Sequence, residues 1–116
     1  MPLNHVSLTV SDRERSARFY AEHFGLTERL HDDEHLFIVG GAEGSVLALS
    51  VGDPPRLPRT NHFGFQVATT DEVREARERL WAAGVEEVEW QDDDVTVRVQ
   101  VLDPDGYRVE LYAFGR

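Results

Sequence analysis

The stretch NHVSLTV at residues 4–10 recurs as NHFGFQV at residues 61–67, and this recurrence decides how the whole chain is interpreted. Each copy begins with an Asn-His pair and continues with apolar residues at every second position, which is the pattern of a half-buried strand. His5 and His62 lie about half the chain length apart in a chain of 116 residues. The sequence therefore indicates two copies of one structural unit.

A helix and three further strands are predicted after each copy. The pairs Ser11-Asp12 and Thr70-Asp71 are typical of helix N-caps. The amphipathic segments that follow end at Gly25 and Gly84, as helices often do. Turn clusters and apolar alternation then delimit the strands. The predicted strands lie at residues 26–30, 36–39 and 46–51 in the first half, and at residues 85–90, 95–102 and 107–113 in the second.

These elements predict an α+β fold made of two βαβββ modules. The first module spans residues 1–52 and the second spans residues 60–116. Residues 53–59 join the modules and are too rich in proline for a helix or an inner strand. Because a lone module would leave one face of its sheet open, we expect the two modules to pack as a single domain, residues 1–116.

Composition and charge exclude several classes of function. With 12 basic and 22 acidic residues the net charge is −10, which argues against nucleic acid and anionic membrane surfaces as partners. The chain has neither cysteine nor lysine, which excludes thiol nucleophiles, thiolate metal sites and Schiff-base chemistry. No apolar run approaches the roughly 20 residues that span a bilayer, and the N-terminus lacks a signal pattern. We therefore expect a cytoplasmic protein.

The strand faces that point away from the predicted helices are chemically unusual. Side chains alternate across a strand, so each strand presents a second face, which here is polar or small. This face can be the ordinary solvated side of a sheet, but its histidines, arginines and glutamate also indicate a lined cavity. Two imidazoles and a carboxylate suit a divalent first-row metal. The residues on these faces include His5, Ser7, Ala48, His62, Gly64, Arg98, Gln100, Arg108, Glu110 and Tyr112.

The other three histidines are weaker candidates for a site. His23 lies near the predicted end of the first helix, where a favourable interaction with the helix dipole is expected. His31 and His35 flank an acidic stretch that predicts an exposed hairpin tip.

The chain resembles the vicinal oxygen chelate superfamily, also called the glyoxalase/bleomycin-resistance/dioxygenase fold, over nearly its whole length. The resemblance is carried by the Leu3-Asn4-His5 start, Phe24-Gly25-Leu26 after the first helix, Asn61-His62, and above all LDPDGYRVE at residues 102–110. Members of this family pair two βαβββ modules into a curved, cup-shaped mixed sheet that holds a metal. The resemblance implies metal ligands at His5, His62 and Glu110, with Ala48 at a fourth ligand position.

Ala48 and Gln100 depart from the patterns of well-known family branches. Glyoxalase I enzymes carry a carboxylate where Ala48 stands, and that ligand also moves the substrate proton. The three remaining ligands are similar to those of extradiol dioxygenases and fosfomycin-resistance thiol transferases. Those enzymes usually have a tyrosine at the position of Gln100, and the thiol transferases use a lysine that this chain lacks. The reaction class, whether dioxygenase, lyase, isomerase or transferase, stays open.

The leading hypothesis is a metal-dependent enzyme that chelates two adjacent oxygens of a small substrate. The resemblance implies a divalent ion such as Fe, Mn, Zn, Ni or Co, and a homodimer whose modules pair within one chain or across two. Arg98 suits a substrate carboxylate, although a surface salt bridge is the other interpretation. The alternative function is a drug-binding protein of the bleomycin-resistance type, without turnover. The expected substrate-binding residues are Ser7, Ala48, Arg98, Gln100 and Tyr112.

Overall fold

The computed structural model describes residues 1–115, and within them the predicted βαβββ order appears in both halves. The first half contains β1 (His5–Val10), α1 (Arg13–Phe24), β2 (Glu28–Asp32), β3 (Phe37–Gly40) and β4 (Val46–Val51). The second half contains β5 (Phe63–Gln66), α2 (Thr70–Ala82), β6 (Glu87–Asp92), β7 (Thr96–Leu102) and β8 (Arg108–Phe114). The chain forms two compact units, Met1–Arg56 and Leu57–Arg116. The α+β class and the two modules are thus confirmed.

Each unit contains one four-stranded mixed sheet. The strand order is β1-β4-β3-β2 in the first unit and β5-β8-β7-β6 in the second. In both sheets the first strand of the module runs parallel to its last strand, and the other neighbours are antiparallel. The parallel pair brings the two ends of a module together at one side of the sheet. This order places β8 between β5 and β7, where its side chains have neighbours on both sides.

The helices begin and end close to the predicted residues. Asp12 caps α1 by accepting a hydrogen bond from the Arg15 backbone N–H at 3.1 Å, and Gly25 ends the helix in the left-handed conformation with φ 74°. The cap of α2 is Thr69, one residue before the predicted pair, because Thr69 and Glu72 form a reciprocal capping box. Within residues 1–115 neither helix is long and apolar enough to cross a membrane.

Each helix covers one face of its own sheet. On α1 the buried residues are Ser16, Ala17 and Tyr20, and on α2 they are Val73, Ala76 and Leu80. The apolar faces of β7 and β8, and Leu47 and Leu49 on β4, are almost completely buried beneath them, as the alternation predicts. Val51 at the end of β4 is the exception, since it is 66% exposed. Phe63 and Phe65 on β5 are only partly buried. The polar face of each sheet is therefore the face without a helix.

A β-bulge in β6 changes which residues lie on the polar face. Glu87 pairs with Val101, whereas Glu89 pairs with Gln100, so one extra residue lies between them. The bulge directs Glu87 toward α2, where its carboxylate accepts hydrogen bonds from Arg77 at 2.7 and 3.0 Å. Glu89 consequently lies on the opposite face. The strand β2 carries a bulge at the corresponding place in the first module.

Candidate active site of the second module

Glu110 lies at the centre of the polar face of the second sheet. It stands on β8 between the buried residues Val109 and Leu111, so its side chain points away from the core. In register it pairs with Gly64 on β5 and with Gln100 on β7, and Gln100 pairs in turn with Glu89 on β6. These four residues, Gly64, Glu110, Gln100 and Glu89, form what we call the central row.

Gly64 leaves space for Glu110. A Cβ atom at position 64 would lie 3.1 Å from both the Cβ and the backbone oxygen of Glu110. That separation is tighter than ordinary van der Waals contact, so any side chain would press on the glutamate. The absence of a side chain at Gly64 therefore keeps the polar face open beside the carboxylate.

His62 immediately precedes β5 and faces Glu110. Its Nδ1 atom lies 3.0 Å from the carbonyl oxygen of Thr60, so in the neutral ring Nδ1 carries the proton and donates it to that carbonyl. The other ring nitrogen, Nε2, then bears the lone pair and lies 3.7 Å from Oε1 of Glu110. Two acceptor atoms thus face each other, and a cation between them would satisfy both.

A tight turn sets the position of His62. The backbone N–H of Asn61 donates to the carbonyl of Pro58 at 2.9 Å, which places Arg59 and Thr60 at the centre of a turn. The turn directs the Thr60 carbonyl at His62. A backbone carbonyl that accepts the proton of the non-coordinating ring nitrogen is the usual means by which proteins fix the tautomer of a metal-binding histidine.

Two side chains from β7 hold the Glu110 carboxylate. Arg98 Nη1 donates to Oε1 of Glu110 at 3.1 Å, and Gln100 Nε2 donates to the same oxygen at 3.0 Å. Gln100 is only 2% exposed, and its own carbonyl oxygen accepts a hydrogen bond from Arg108 at 3.3 Å. Gln100 is therefore held at both ends of its amide, and it fixes the carboxylate of Glu110.

Arg98 is the most extensively bonded residue of this face. Besides Glu110 it contacts Glu89, with Nη2 2.8 Å from Oε1, and Gln91, whose Oε1 accepts from Nε at 2.9 Å. Burial by itself lowers the pKa of Arg98, but its bonds with Glu89 and Glu110 outweigh burial and raise the pKa overall. The hydrogen bond from Arg98 also lowers the pKa of Glu89, so Glu89 stays ionised at neutral pH.

These side chains border a cavity of about 350 Å³. That volume lies in the range typical of small-molecule sites. The walls carry charged and hydrogen-bonding groups, with no Phe, Tyr or Trp side chain among the lining residues that the structure describes. The lining residues are Arg59, Thr60, His62, Glu89, Arg98, Gln100 and Glu110.

The second module thus brings together four of the residues predicted from the sequence: His62, Arg98, Gln100 and Glu110. Tyr112 pairs with Arg98 in register, but it is not among the residues that line the cavity. Its ring packs edge-to-face against Phe114, with ring centres 5.7 Å apart.

The other predicted site residues, His5, Ser7 and Ala48, belong to the first unit. There Ser7 pairs with Ala48 across β1 and β4, as Gly64 pairs with Glu110 across β5 and β8. Within residues 1–115 no group of three or more His, Asp or Glu side chains is assembled in a way that could hold a metal ion. The three-ligand set with His5 accordingly stays a prediction.

Sequence reasoning missed Glu89, Arg59 and Thr60 as parts of the site. Simple alternation puts Glu87 and Glu89 on the same face, and only the bulge separates them. Arg59 and Thr60 lie in the segment interpreted as a linker or its border, where no periodicity marks a function. The presence of Pro58 and Asn61 three residues apart favours a turn there, and the structure shows that turn as a hydrogen bond from the Asn61 N–H to the Pro58 carbonyl.

Trp90 on β6 lies on the side of the sheet opposite to the cavity. It pairs with Val99, and the guanidinium of Arg77 on α2 stacks 4.0 Å from its ring centre. The same guanidinium stacks 4.1 Å from the ring centre of Trp81. Trp90 therefore takes part in a cation–π contact with the helix.

The donor atoms of the second module fit a divalent first-row metal. An imidazole nitrogen with a fixed tautomer and a hydrogen-bonded carboxylate are borderline and hard ligands, respectively, and such mixtures suit Mn, Fe, Co, Ni and Zn. Both side chains border the cavity, so a metal held there would be accessible to a small molecule.

Comparison with known proteins agrees with this fold. Residues 2–111 match the sequence profile of the family described as the Glyoxalase/Bleomycin resistance protein/Dioxygenase superfamily. The chain is 32% identical over 114 residues to the glutathione transferase FosA of Serratia marcescens, covering 95% of this chain and 79% of that protein. It is 30% identical over 112 residues to the "probable trivalent organoarsenical cleaving enzyme" of Bacillus subtilis (strain 168), covering 93% and 77% respectively.

A solved structure shows the same architecture. The fosfomycin resistance protein FosX from Listeria monocytogenes, complexed with Mn(II) and sulfate ion, matches with a TM-score of 0.81 at 25% identity. The match covers 99% of this chain and 90% of that one.

Proposed function

The chain belongs to the Glyoxalase/Bleomycin resistance protein/Dioxygenase superfamily, and from this premise we propose that it is a divalent-metal-dependent enzyme acting on a small molecule. The proposed metal ligands are His62 and Glu110 from the second module and His5 from the first. The proposed substrate presents two adjacent oxygens to the metal, in the cavity bordered by residues 59–62 and by β6, β7 and β8.

The relation between His62 and Glu110 carries the proposal. The Thr60 carbonyl holds the proton on Nδ1 of His62, so the lone pair of Nε2 faces the carboxylate oxygen at 3.7 Å. A structural histidine would be expected to donate to that carboxylate from Nε2. An acceptor facing an acceptor, at the wall of a polar cavity, is what a metal-binding pair requires.

The residues around His62 and Glu110 have different roles in the proposed site. A bound divalent ion supplies Lewis-acid stabilisation of negative charge on substrate oxygens. Arg98 and Gln100 keep the carboxylate of Glu110 in one orientation, since both donate to the same oxygen. Arg98 also bonds Glu89 and Gln91, and it would have to break these bonds to bind a substrate. Its role in the proposal is therefore to position Glu110.

Two relatives bear on the choice of metal and on the class of substrate. The FosX structure holds Mn(II), which supports manganese as the first metal to test here. Cleavage of trivalent organoarsenicals is the activity named for another relative. Trivalent arsenic is a soft centre that favours thiolates, and this chain has no cysteine to supply one. We therefore propose an oxygen-rich substrate.

The nature of the cavity wall favours an enzyme over a drug-binding protein. A pocket that sequesters a bulky aromatic drug is expected to be lined by aromatic and apolar side chains. The wall described above instead carries two carboxylates, two guanidinium groups, an imidazole and an amide. These groups suit metal chelation and charge stabilisation better than burial of an apolar ring.

Metal titration of protein purified without a histidine tag tests the proposal. We expect the wild type to bind Mn(II) and His62→Ala to bind it more than about tenfold more weakly, measured by calorimetry or electron paramagnetic resonance. His35→Ala is the matched control, because the His35 side chain is 84% exposed at a hairpin and should leave affinity unchanged. Equal Mn(II) affinity in His62→Ala and the wild type would contradict the proposed site.

A further inference from the structure

The arginines around the cavity are not equivalent. Arg98 is neutralised by Glu89 and Glu110, which it contacts at 2.8 and 3.1 Å. Arg108 lies 3.8 Å from the other oxygen of Glu89 and donates to Gln100 at 3.3 Å. Both guanidinium groups are therefore committed to partners within the sheet. Neither is free to take a new anion without breaking this network.

Arg59 also borders the cavity, but it has no such partners within the sheet. Its side chain makes no ion pair or hydrogen bond with any group in residues 1–115, and it is exposed. The cavity lining carries two guanidinium groups, Arg59 and Arg98, and two carboxylates, Glu89 and Glu110. Arg98 contacts both carboxylates directly, whereas Arg59 acts on Glu89 only through its charge, which adds to the lowering of the Glu89 pKa by Arg98. The N–H groups of the Arg59 guanidinium are therefore available to hydrogen-bond a ligand.

The position of Arg59 is set by the turn that also sets His62. Arg59 and Thr60 are the two central residues between Pro58 and Asn61, whose backbone groups are hydrogen-bonded at 2.9 Å. The Thr60 carbonyl of this turn bonds the His62 ring at 3.0 Å. A ligand that reaches His62 through the cavity therefore also comes within reach of the Arg59 side chain.

We propose that Arg59 is a substrate-recognition residue that binds an anionic oxygen group, of the carboxylate or phosphonate class, at the rim of this cavity. The inference rests on the proposed function, since it gives the substrate two ends: vicinal oxygens toward His62 and Glu110, and an oxyanion toward Arg59. Guanidinium matches both oxyanion classes because its paired N–H groups bond two oxygens at once. The substrate carboxylate expected at Arg98 from the sequence is assigned to Arg59 instead.

Binding of small anions to metal-free protein tests this assignment separately from metal binding. Acetate and methylphosphonate serve as probes of the two oxyanion classes, and acetamide serves as the neutral counterpart of acetate. Binding is followed by nuclear magnetic resonance of the arginine Nε–H groups. We expect saturable binding of at least one anion, and we expect Arg59→Ala to weaken it about tenfold or more. Arg59→Lys should weaken it less, because lysine keeps the positive charge but lacks the paired N–H groups of guanidinium.

Arg79→Ala is the matched control, because Arg79 is an exposed arginine of the same module, carried by α2 and absent from the cavity wall. It should leave anion affinity unchanged. Preference for acetate or for methylphosphonate tells the two oxyanion classes apart. Circular dichroism confirms that each variant is folded.

Three results would overturn the assignment. They are the absence of saturable binding of either anion to the wild type, equal affinity in Arg59→Ala, and binding of acetamide as tight as that of acetate. A separate Mn(II) titration distinguishes this failure from failure of the proposed function. Arg59→Ala should keep the Mn(II) affinity of the wild type within about twofold, since Arg59 acts on the substrate and not on the metal ligands.

Discussion

Glu110 on β8 and Ala48 on β4 occupy the same register position in the two modules. Glu110 stands between Gly64 and Gln100, and Ala48 stands between Ser7 and Ile38. The repeat therefore preserves the backbone arrangement while it replaces a carboxylate and an amide by a methyl group and an isoleucine. The position that carries the central carboxylate of the second module has no ligand atom in the first.

The first prediction follows from this equivalence. Ala48→Glu would place a carboxylate beside Ser7, at the position where glyoxalase I enzymes are expected to carry a ligand. We expect tighter Mn(II) binding and lower native activity, because a fourth protein ligand would occupy a position otherwise open to substrate. Ala48→Gln, with the same shape and no charge, is the control. Metal binding seen only in Ala48→Glu, and not in the wild type, would support the drug-binding alternative.

The second prediction concerns Arg98. Arg98→Met would remove one of the two donors to Glu110 and the closest cation of Glu89, leaving two partly buried carboxylates on one face. We expect a loss of about 1.5–3 kcal/mol in the free energy of unfolding and weaker Mn(II) binding. Urea denaturation and metal titration measure the two effects. Arg79→Met is the control, and a variant as stable as the wild type would show that the network contributes little.

The third prediction separates binding from folding within the second module. His62→Ala should leave stability nearly unchanged, since the ring is 37% exposed on the polar face. Leu80→Ala should lower the free energy of unfolding by about 2–5 kcal/mol, because Leu80 lies on the buried face of α2 and is 3% exposed. Urea denaturation of both variants checks this contrast. A large destabilisation by His62→Ala would assign His62 a structural role.

The fourth prediction concerns pH and the hairpin between β2 and β3. Asp33 accepts hydrogen bonds from His31 at 2.7 Å and from the backbone N–H groups of His35 and Leu36 at 2.8 Å each. The bond from His31, followed by the two backbone bonds, lowers the pKa of Asp33 from 3.8 to about 2. A lowered pKa stabilises the folded state above pH 3.8, and this contribution is lost as the pH falls toward 2.

The melting temperatures of the wild type and Asp33→Asn, compared across this range, provide the measurement. We expect the wild type to be the more stable protein near neutral pH. The difference should shrink steadily once the pH falls below 3.8. A difference that grows on acidification would mean that Asp33 stabilises the hairpin in its protonated form.

The fifth prediction concerns assembly and the third ligand. If the protein is a dimer with exchanged modules, His5 of one chain completes the site formed by His62 and Glu110 of the other. Mixing His5→Ala with His62→Ala, after reversible unfolding together, should then restore about a quarter of the metal sites, because half of the dimers are mixed and each has one intact site. Modules that pair within one chain would restore none, and light scattering establishes whether a dimer forms.

Local patterns in the sequence determined the elements of the fold. The recurrence of Asn-His, the alternation after it and the caps at Asp12 and Gly25 predicted both βαβββ modules, with boundaries displaced by one or two residues. Alternation also predicted that His62 and Glu110 share a polar face with Arg98 and Gln100. These features depend on periodicities of two and 3.6 residues, which are visible within a short stretch of sequence without knowledge of the rest of the fold.

Only the tertiary structure decided what those polar residues do. The bulge in β6 brought Glu89 to the polar face, and the register of β6, β7 and β8 then gave Arg98 its three partners. A sequence shows that an arginine faces a certain side of a strand, but not which carboxylate lies opposite it. That choice depends on how strands far apart in sequence are aligned, and a shift of one residue reverses it. The same reason explains why Arg59, in a segment without periodicity, became visible as part of the site only in three dimensions.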